Sequence, residues 1–131
     1  MIDLDHFKKI NDVYGHSAGD AVLCAFTRAC QTQLREADIF ARWGGEEFSI
    51  LLPETDDSAC EIIANRFRET VGNLAVSTET GIVQFTISVG ISVFKPYQEN
   101  IFQALSLADN ALYRAKQNGR NCVVLIDQEQ S

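Results

Sequence analysis

Residues 42 to 48 constrain the fold most, because two adjacent glycines stand between two segments rich in strand-forming residues. The run reads Arg-Trp-Gly-Gly-Glu-Glu-Phe, and residues 38–43 and 47–52 flank the turn. Both central positions of a two-residue hairpin loop need φ > 0, which glycine adopts without steric cost. We therefore predict a β-hairpin that turns at Gly44 and Gly45, with Glu46 where the second strand begins. Bare backbone at such a turn can accept a phosphate or a base, but for a Gly-Gly pair alone an ordinary surface hairpin is the better interpretation.

The composition indicates one globular domain over residues 1–131, because 46% of these residues are hydrophobic. The net charge of −7 argues against a bare nucleic-acid binder. An acidic domain can still bind one nucleotide if metal ions neutralise the phosphates. No apolar run approaches the roughly 18 residues of a membrane span, and charged residues follow Met1 at once, so we expect no membrane segment, no signal peptide and a cytoplasmic location. The four cysteines lack Cys-x-x-Cys spacing and are expected to be small buried thiols rather than zinc ligands or disulfides.

Hydrophobic periodicity predicts an α/β sandwich in which helices pack on a mixed sheet. Alternation predicts strands at residues 1–5, in the hairpin, along the whole of 83–94, and at Val123–Ile126. Spacings of three and four predict helices at Phe7–Tyr14, at about 20–35, from the caps Asp56, Asp57 and Ser58 to about Val71, and at about 100–117. Asn118-Gly119 is expected to stop the last helix in the αL manner, and the polar tail 127–131 to be frayed.

Acidic residues at the end of the first strand suggest a metal site. Asp3 and Asp5 share one strand face, while Leu4 points into the opposite layer. If this strand lies beside the glycine hairpin, Asp3 and Glu46 converge. Carboxylates in that arrangement suit Mg²⁺, with substrate phosphates completing the octahedron. A solvated strand end is the alternative interpretation, and for Asp3 and Asp5 alone it is the better one.

Two further clusters suggest a nucleotide. Asn and Asp disfavour helix interiors, so the density of polar residues from Lys8 to Asp20 indicates caps, ligand contacts or both. A carboxylate can accept from guanine N1–H and its exocyclic amine, while an amide can donate to O6 and N7. Lys116 and Arg120 flank the end of the last helix and could hold a triphosphate. Solvated surface charge is the alternative for both clusters.

The ordered motifs resemble those of a GGDEF domain, the catalytic domain of diguanylate cyclases. The opening run from Asp3 to Asp12, with Gly15-His16 and Gly19-Asp20, is similar to the start of that family, and Gly44-Gly45-Glu46-Glu47-Phe48 matches its signature in the common Glu variant. Two later blocks also match, namely 86–90 and 108–116 with Gly119-Arg120-Asn121. Because four blocks occur in order, the resemblance is far more specific than one short motif.

The resemblance implies a palm-like, ferredoxin-like fold of the nucleotidyl-cyclase type, and the condensation of two GTP into cyclic di-GMP with loss of two pyrophosphates. It implies that Asp3, the Leu4 carbonyl and Glu46 bind Mg²⁺ or Mn²⁺, two ions per site, and that Glu46 also helps deprotonate the attacking 3′-hydroxyl. The residues it implies for substrate binding are Asn11, His16 and Asp20 at guanosine, Phe7 and Lys8 at ribose and phosphates, Gly44 and Gly45 at the turn, and Lys116 and Arg120 at the outer phosphates. Each domain would carry one GTP, so catalysis would need a homodimer.

A product site and a missing segment are also implied. Arg35-Glu36-Ala37-Asp38 has the spacing of the family's inhibitory Arg-x-x-Asp motif, with Arg66 as a partner arm; a helix-terminal cation followed by a turn aspartate is the alternative. Family members carry a further helix before the first strand and a sensor or receiver domain upstream. We therefore expect an open apolar face, and with it lower stability or self-association. The rival functions are a non-catalytic domain that senses GTP or cyclic di-GMP, and another palm-type nucleotidyl cyclase or polymerase.

Overall fold

The computed structural model describes residues 1–95, 97 and 100–126. The tail at 127–131, expected to be frayed, lies outside the described residues. Four helices and seven strands occur in this part of the chain, in the order β1 (Ile2–Leu4), α1 (Phe7–Tyr14), α2 (His16–Gln31), β2 (Ile39–Gly44), β3 (Glu47–Leu51), α3 (Asp57–Gly72), β4 (Val76–Thr78), β5 (Gly81–Val83), β6 (Ile87–Ser92), α4 (Ile101–Gln117) and β7 (Val123–Ile126).

A five-stranded mixed sheet in the order β2-β3-β1-β6-β7 forms the centre of the fold. Strands β6 and β7 pair in parallel, and the other neighbours pair antiparallel. The short first strand is central: Ile2 is opposite Phe48 on one side and Val89 on the other. The predicted α/β fold with a mixed sheet is confirmed, and the condition placed on the metal site, that β1 lies beside the glycine hairpin, is met.

Helices cover both faces of this sheet. Ile2, Leu4, Ile87 and Val89 belong to one buried core that also contains Phe26 of α2 and Phe67 of α3. Ser88, Gly90 and Ser92 alternate with these residues and therefore face the other layer. There the Ser92 hydroxyl donates to the Ala104 carbonyl of α4 at 2.5 Å. The sheet thus separates an aromatic and aliphatic core from a closely packed α4 layer.

Gly90 allows α4 to approach the sheet. A Cβ built at Gly90 would lie 2.2 Å from the Leu112 nitrogen and 2.3 Å from the Ala108 oxygen, both of them backbone atoms. The facing helix presents small side chains, since Ala104, Ala108, Ala111 and Ala115 are all buried. The single interruption in the predicted strand alternation is therefore a position where the α4 backbone packs directly against the strand.

The boundaries of α2 were predicted wrongly. The helix was expected at about 20–35 and instead runs from His16 to Gln31. Gly19 made the first turn look unlike a helix, because glycine is a poor helix former. Here a Cβ at residue 19 would lie 1.9 Å from Asn11 Oδ1, so a larger residue would displace the Asn11 side chain of α1. The other helices match the prediction to within a residue or two; Asp56 caps α3 by accepting from the Ala59 N–H at 2.9 Å.

The single long strand predicted at 83–94 is also wrong. Strand β5 pairs with β4 in a separate two-stranded hairpin, and β6 begins only at Ile87. The alternation continued through the break because Val83, Phe85 and Ile87 are all buried in the same core, at 1%, 5% and 0% exposure. Alternating hydrophobicity indicates which residues are buried, not which strand they pair with. Here alternate residues stay buried although β5 pairs with β4 and β6 pairs with β1.

An apolar cleft of about 700 Å³ opens between the hairpin, α3, β6 and the start of α4. Met1, Ile39, Trp43, Phe67 and Leu105 are among the residues that line it. That an upstream segment normally covers an apolar face of this domain stays a prediction. No helix among the described residues is long and apolar enough to cross a membrane.

The described cysteines are all unpaired thiols. Cys30 and Cys60 are buried, as expected, Cys122 is only half-buried, and Cys24 is exposed and was predicted wrongly. Burial raises the pKa of the Cys30 thiol to about 12.

Candidate active site

The glycine turn and the end of β1 meet in the structure. The Leu4 N–H donates to the Glu46 carbonyl at 3.2 Å, and Asp3 is the pairing partner of Glu47. Gly45 has φ of 52°, the left-handed conformation for which glycine is suited. The strands flanking the turn end one residue from their predicted limits, at Gly44 and Leu51. The predicted convergence of Asp3 and Glu46 therefore has a structural basis in sheet pairing.

Arg42 stabilises this turn and was not expected from the sequence to do so. Its guanidinium donates to the Gly45 carbonyl from Nε at 3.0 Å and from Nη2 at 2.7 Å. The pairing register of β2 and β3 shifts between Arg42 and Gly44, so the turn is irregular. The position of Arg42 in the sequence, three residues before Gly45, was the one signal of this contact that the sequence offered.

Asp3 is nearly buried, with 8% of its surface exposed. Lys116 Nζ lies 2.5 Å from its Oδ2, so the last turn of α4 is tied to the central strand. Desolvation raises the pKa of Asp3, the hydrogen bond and charge of Lys116 oppose this increase, and the charges of Glu46 and Asp5 add to it. The negative charge on this carboxyl is therefore only partly offset by Lys116.

Glu47 and Asp109 extend this negative region. Burial is the largest cause of the raised pKa of Glu47, and the carboxylates of Asp109 and Asp3 raise it further. Glu46 is half-buried in the turn. Sequence reasoning did not single out Asp109, although its place in the motif block of α4 was a signal.

The donor set fits a divalent ion of the magnesium type. The described residues contain no group of three or more His, Cys, Asp or Glu side chains that could hold a metal by themselves. The charge of Glu46 acts on the Asp3 carboxyl, so these two carboxylates are near each other, and their binding of an ion together with the Leu4 carbonyl stays a prediction. Mg²⁺ is usually bound in this way, by one or two carboxylates with water and phosphate oxygens in the other positions.

The residues expected at guanosine lie where α1 meets α2. Asn11 Oδ1 and the Phe7 ring both face Gly19, at 1.9 Å and 3.3 Å from the Cβ position built there. His16 and Asp20 are exposed one helical turn apart on α2, and Lys8 is exposed on α1. Phe7 is only 9% exposed and is part of the core. The structure therefore groups Asn11, His16 and Asp20 around one corner, and their contact with guanine stays a prediction.

The end of α4 carries Lys116 and Arg120. Gly119, at φ 107°, follows the C-cap Asn118, and the Arg120 N–H donates to the Ala115 carbonyl at 3.0 Å. This is the six-residue hydrogen bond of a Schellman motif, so the predicted helix stop is confirmed, with Gly119 rather than Asn118 at positive φ. Arg120 is exposed, whereas Lys116 is engaged with Asp3.

Asp5 is a further buried acid that sequence reasoning placed near the site without a role. It is 4% exposed and accepts three hydrogen bonds. They come from Thr86 Oγ1 at 2.7 Å, Ser88 Oγ at 2.6 Å and the Asn121 N–H at 3.0 Å. No short-range sequence pattern marks these contacts, because the partners are more than 80 residues away.

The residues expected at a product site are only partly brought together. Arg35 and Asp38 are paired, with Nη2 and Oδ1 2.8 Å apart, and Arg35 also donates to the Pro53 carbonyl at 2.9 Å. Desolvation would raise the pKa of Asp38, but the hydrogen bonds from Arg35 outweigh it and lower that pKa. Arg66 lines a shallow depression on α3, and in the described part of the chain no hydrogen bond or ion pair joins it to Arg35.

A mixed, mostly antiparallel sheet with helices on both faces, and with acidic residues at a strand end and beside a glycine turn, is the palm-like fold of the nucleotidyl cyclase type. The family profile described as "Diguanylate cyclase, GGDEF domain" matches residues 1–122. This chain belongs to the GGDEF family.

Named relatives and solved structures agree with that assignment. Diguanylate cyclase DgcM of Escherichia coli is 44% identical over 124 residues, covering 95% of this chain and 29% of that protein. Diguanylate cyclase A of Treponema denticola is 43% identical, covering 95% of this chain and 34% of that protein. The GGDEF domain of DgcB from Caulobacter crescentus, solved in complex with c-di-GMP, has a TM-score of 0.89 at 31% identity, covering 95% of this chain and 74% of that one. The chain thus spans about a third of the length of these two curated relatives.

Proposed function

We propose that this chain is the catalytic domain of a diguanylate cyclase, which condenses two GTP into cyclic di-GMP and releases two pyrophosphates. The observation that carries the proposal is the hydrogen bond from the Leu4 N–H to the Glu46 carbonyl at 3.2 Å. It joins the strand that bears Asp3 to the turn that bears Glu46, where a nucleotide can lie on bare glycine backbone. The identity of 43–44% to two named diguanylate cyclases supports the choice of reaction.

The reaction consists of two equivalent phosphoryl transfers. In each, the 3′-oxygen of one GTP attacks the α-phosphorus of the other, and a new P–O bond forms. The bond from the α-phosphorus to the bridging oxygen breaks, and pyrophosphate leaves with the electron pair. Glu46 accepts the proton of the 3′-hydroxyl, for which a carboxylate close to the attacking oxygen is required.

Asp3, the Leu4 carbonyl and Glu46 would hold Mg²⁺ or Mn²⁺, two ions per site. When bound, such ions neutralise phosphate charge and acidify the attacking hydroxyl. Without these ions the carboxylates of Asp3 and Glu46 would repel a triphosphate. The protein's own cations, Lys116 and Arg120, are proposed to bind its outer phosphates. Substrate contacts are assigned to Asn11, His16 and Asp20 at guanine, to Phe7 and Lys8 at ribose and phosphates, to Gly44 and Gly45 at the turn, and to Lys116 and Arg120 at the outer phosphates.

The chemistry requires two domains. One domain binds one GTP, and each GTP must present its 3′-hydroxyl to the other's α-phosphate, so we propose a homodimer whose sites face each other across a two-fold axis. An upstream sensor or receiver domain would control that arrangement in the whole protein. A GTP-dependent reaction with this product is expected in the cytoplasm.

Incubation with GTP and Mg²⁺, followed by chromatographic identification of the product, tests the reaction. Glu46→Gln preserves shape and removes the base, so we expect loss of product with an unchanged circular dichroism spectrum. Glu61→Gln, an exposed position on α3, is the matched control and should retain activity. GTP binding without any cyclic dinucleotide from a dimeric sample would support the sensor alternative. A differently linked product would support another palm-type cyclase.

We also propose that Arg35 and Asp38 bind cyclic di-GMP as an inhibitory product, with Arg66 as a second arm. In the structure the two residues satisfy each other, so a ligand has to compete for the Arg35 guanidinium. Arg35→Ala should abolish inhibition by added cyclic di-GMP while initial rates persist. Arg28→Ala, an exposed arginine on α2, is the control. Equal inhibition of Arg35→Ala and the control would contradict the assignment.

A further inference from the structure

The loop after α4 is held in an unusual conformation. Gly119, Arg120 and Asn121 have consecutive positive φ values of 107°, 65° and 48°. Such conformations are unfavourable for a non-glycine residue and persist only when surrounding contacts enforce them. Arg120, the exposed cation proposed for the outer phosphates, therefore depends on whatever fixes this loop.

Asp5 is a buried, charged anchor of that loop. Its Oδ2 accepts from the Asn121 N–H at 3.0 Å, across 116 residues of sequence. Other contacts of the loop are local or involve a half-buried cation: the Arg120 N–H donates to the Ala115 carbonyl at 3.0 Å, Arg68 donates to the Asn121 amide oxygen at 3.3 Å, and the Val89 N–H donates to the Cys122 carbonyl at 3.0 Å. A buried carboxylate accepting a backbone N–H forms the stronger, charge-assisted type of bond.

Both Asp5 oxygens are already used, which separates Asp5 from Asp3. Thr86 donates to the same Oδ2 at 2.7 Å, and Ser88 donates to Oδ1 at 2.6 Å. The hydroxyls of Ser88 in β6 and of Thr86 just before it, rather than a cation, thus offset the buried charge of Asp5. Asp3 in contrast is paired with a lysine that a metal ion could replace.

We propose that Asp5 is a positioning residue for triphosphate binding: it holds the Gly119–Asn121 loop so that Arg120 faces the outer phosphates. This inference rests on the proposed function. The side chain does not contact substrate and acts through Arg120, so its effect should depend on the number of phosphates in the ligand.

Binding of a non-hydrolysable GTP analogue and of GMP, measured with Mg²⁺ by calorimetry, tests the inference. Asp5→Ala should lower the affinity for the analogue roughly tenfold, which is the scale of one lost charge-assisted bond. The affinity for GMP should stay within about twofold of that of the unaltered chain. Arg120→Ala should do the same, and the double variant should be no weaker than Arg120→Ala. Asp5→Asn should restore much of the affinity, because its amide oxygen can still accept from the Asn121 N–H.

Thr86→Val is the matched control, because it removes a bond to the same Asp5 oxygen without touching the loop. Thr86→Val should lower the stability of the fold and leave the ratio of the affinities for the analogue and for GMP unchanged. Equal weakening of analogue and GMP by Asp5→Ala, or additivity with Arg120→Ala, would overturn the inference. If Asp5→Ala does not fold, Asp5→Leu, which has nearly the shape of Asp and also cannot accept from the Asn121 N–H, replaces it. Weaker binding of the analogue alone, relative to Thr86→Val, gives support, and equal weakening of analogue and GMP counts against the inference. Failure of the unaltered chain to bind the analogue at all would instead count against the proposed function.

Discussion

The pair formed by Lys116 and Asp3 gives a prediction that can be worked through from the structure. Replacing Lys116 with Met keeps the apolar stem and removes the ammonium 2.5 Å from Asp3 Oδ2. Breaking a fully buried pair costs roughly 3–5 kcal/mol, because a buried charge is left unpaired. Here the side chains of Lys116 and Asp3 are 34% and 12% exposed, so water screens part of the loss. We expect unfolding free energy to fall by about 2 kcal/mol, or roughly 5–8 °C in melting temperature for a domain of this size.

The loss should depend on pH with a definite sign. Desolvation raises the pKa of Asp3 and Lys116 lowers it, so Lys116→Met raises it further. A carboxyl whose folded pKa exceeds its unfolded value destabilises the fold as the pH rises from the unfolded value towards the folded one. The cost of the substitution should therefore be largest at neutral pH and shrink as the pH falls towards about 4, near the unfolded value.

Divalent ions supply the decisive measurement. Thermal melts in chelator and in millimolar Mn²⁺ should show a larger metal-induced increase in melting temperature for Lys116→Met than for the unaltered chain, because the ion no longer competes with the ammonium. Arg114→Met, an exposed substitution in the same last turn, is the control and should change neither value much. If Lys116→Met were as stable as Arg114→Met, or gained no more from Mn²⁺, the view that the lysine stands in for a cation at Asp3 would be wrong.

Two further predictions concern packing and thiol reactivity. Gly90→Ala should lower the unfolding free energy by about 3 kcal/mol or more, because the new methyl group clashes with α4 backbone atoms. Gly72→Ala is the control and should cost less than about 1 kcal/mol, because nothing lies within 4 Å of a Cβ there. Urea titration of both variants gives the comparison. At pH 8 the exposed Cys24 should react with a maleimide far faster than Cys30, whose pKa is raised by burial to about 12, and peptide mapping showing equal labelling of both in the folded chain would refute this.

The sequence predicted features that depend on neighbours along the chain. The hairpin at Gly44-Gly45 follows from local turn chemistry, and the start of α3 follows from Asp56, whose carboxylate accepts from the first turn. These signals need no knowledge of the rest of the fold. Even the convergence of Asp3 and Glu46 required only one non-local condition, the pairing of β1 with β3.

The features that were mispredicted or missed depend on contacts between distant segments. Gly19 reads as a helix breaker until α1 is known to pack against it. The Lys116–Asp3 ion pair spans 113 residues, and the Asp5 bond to the Asn121 N–H spans 116. Neither position carries a pattern that names its partner, so sequence alone could identify these residues as polar and not as paired.

Those long-range contacts divide the acidic residues near the proposed site into two kinds. Asp5 accepts three hydrogen bonds within the protein, so its charge is committed to structure. In the described part of the chain Asp3 is paired with Lys116, which a cation could replace. Glu46, whose charge raises the pKa of Asp3, lies in a turn stabilised at Gly45 by the guanidinium of Arg42. A cation arriving between Asp3 and Glu46 would relieve their repulsion and free Lys116 for the phosphates proposed to lie beside it. Metal binding and triphosphate binding should therefore be coupled through Lys116, each strengthening the other.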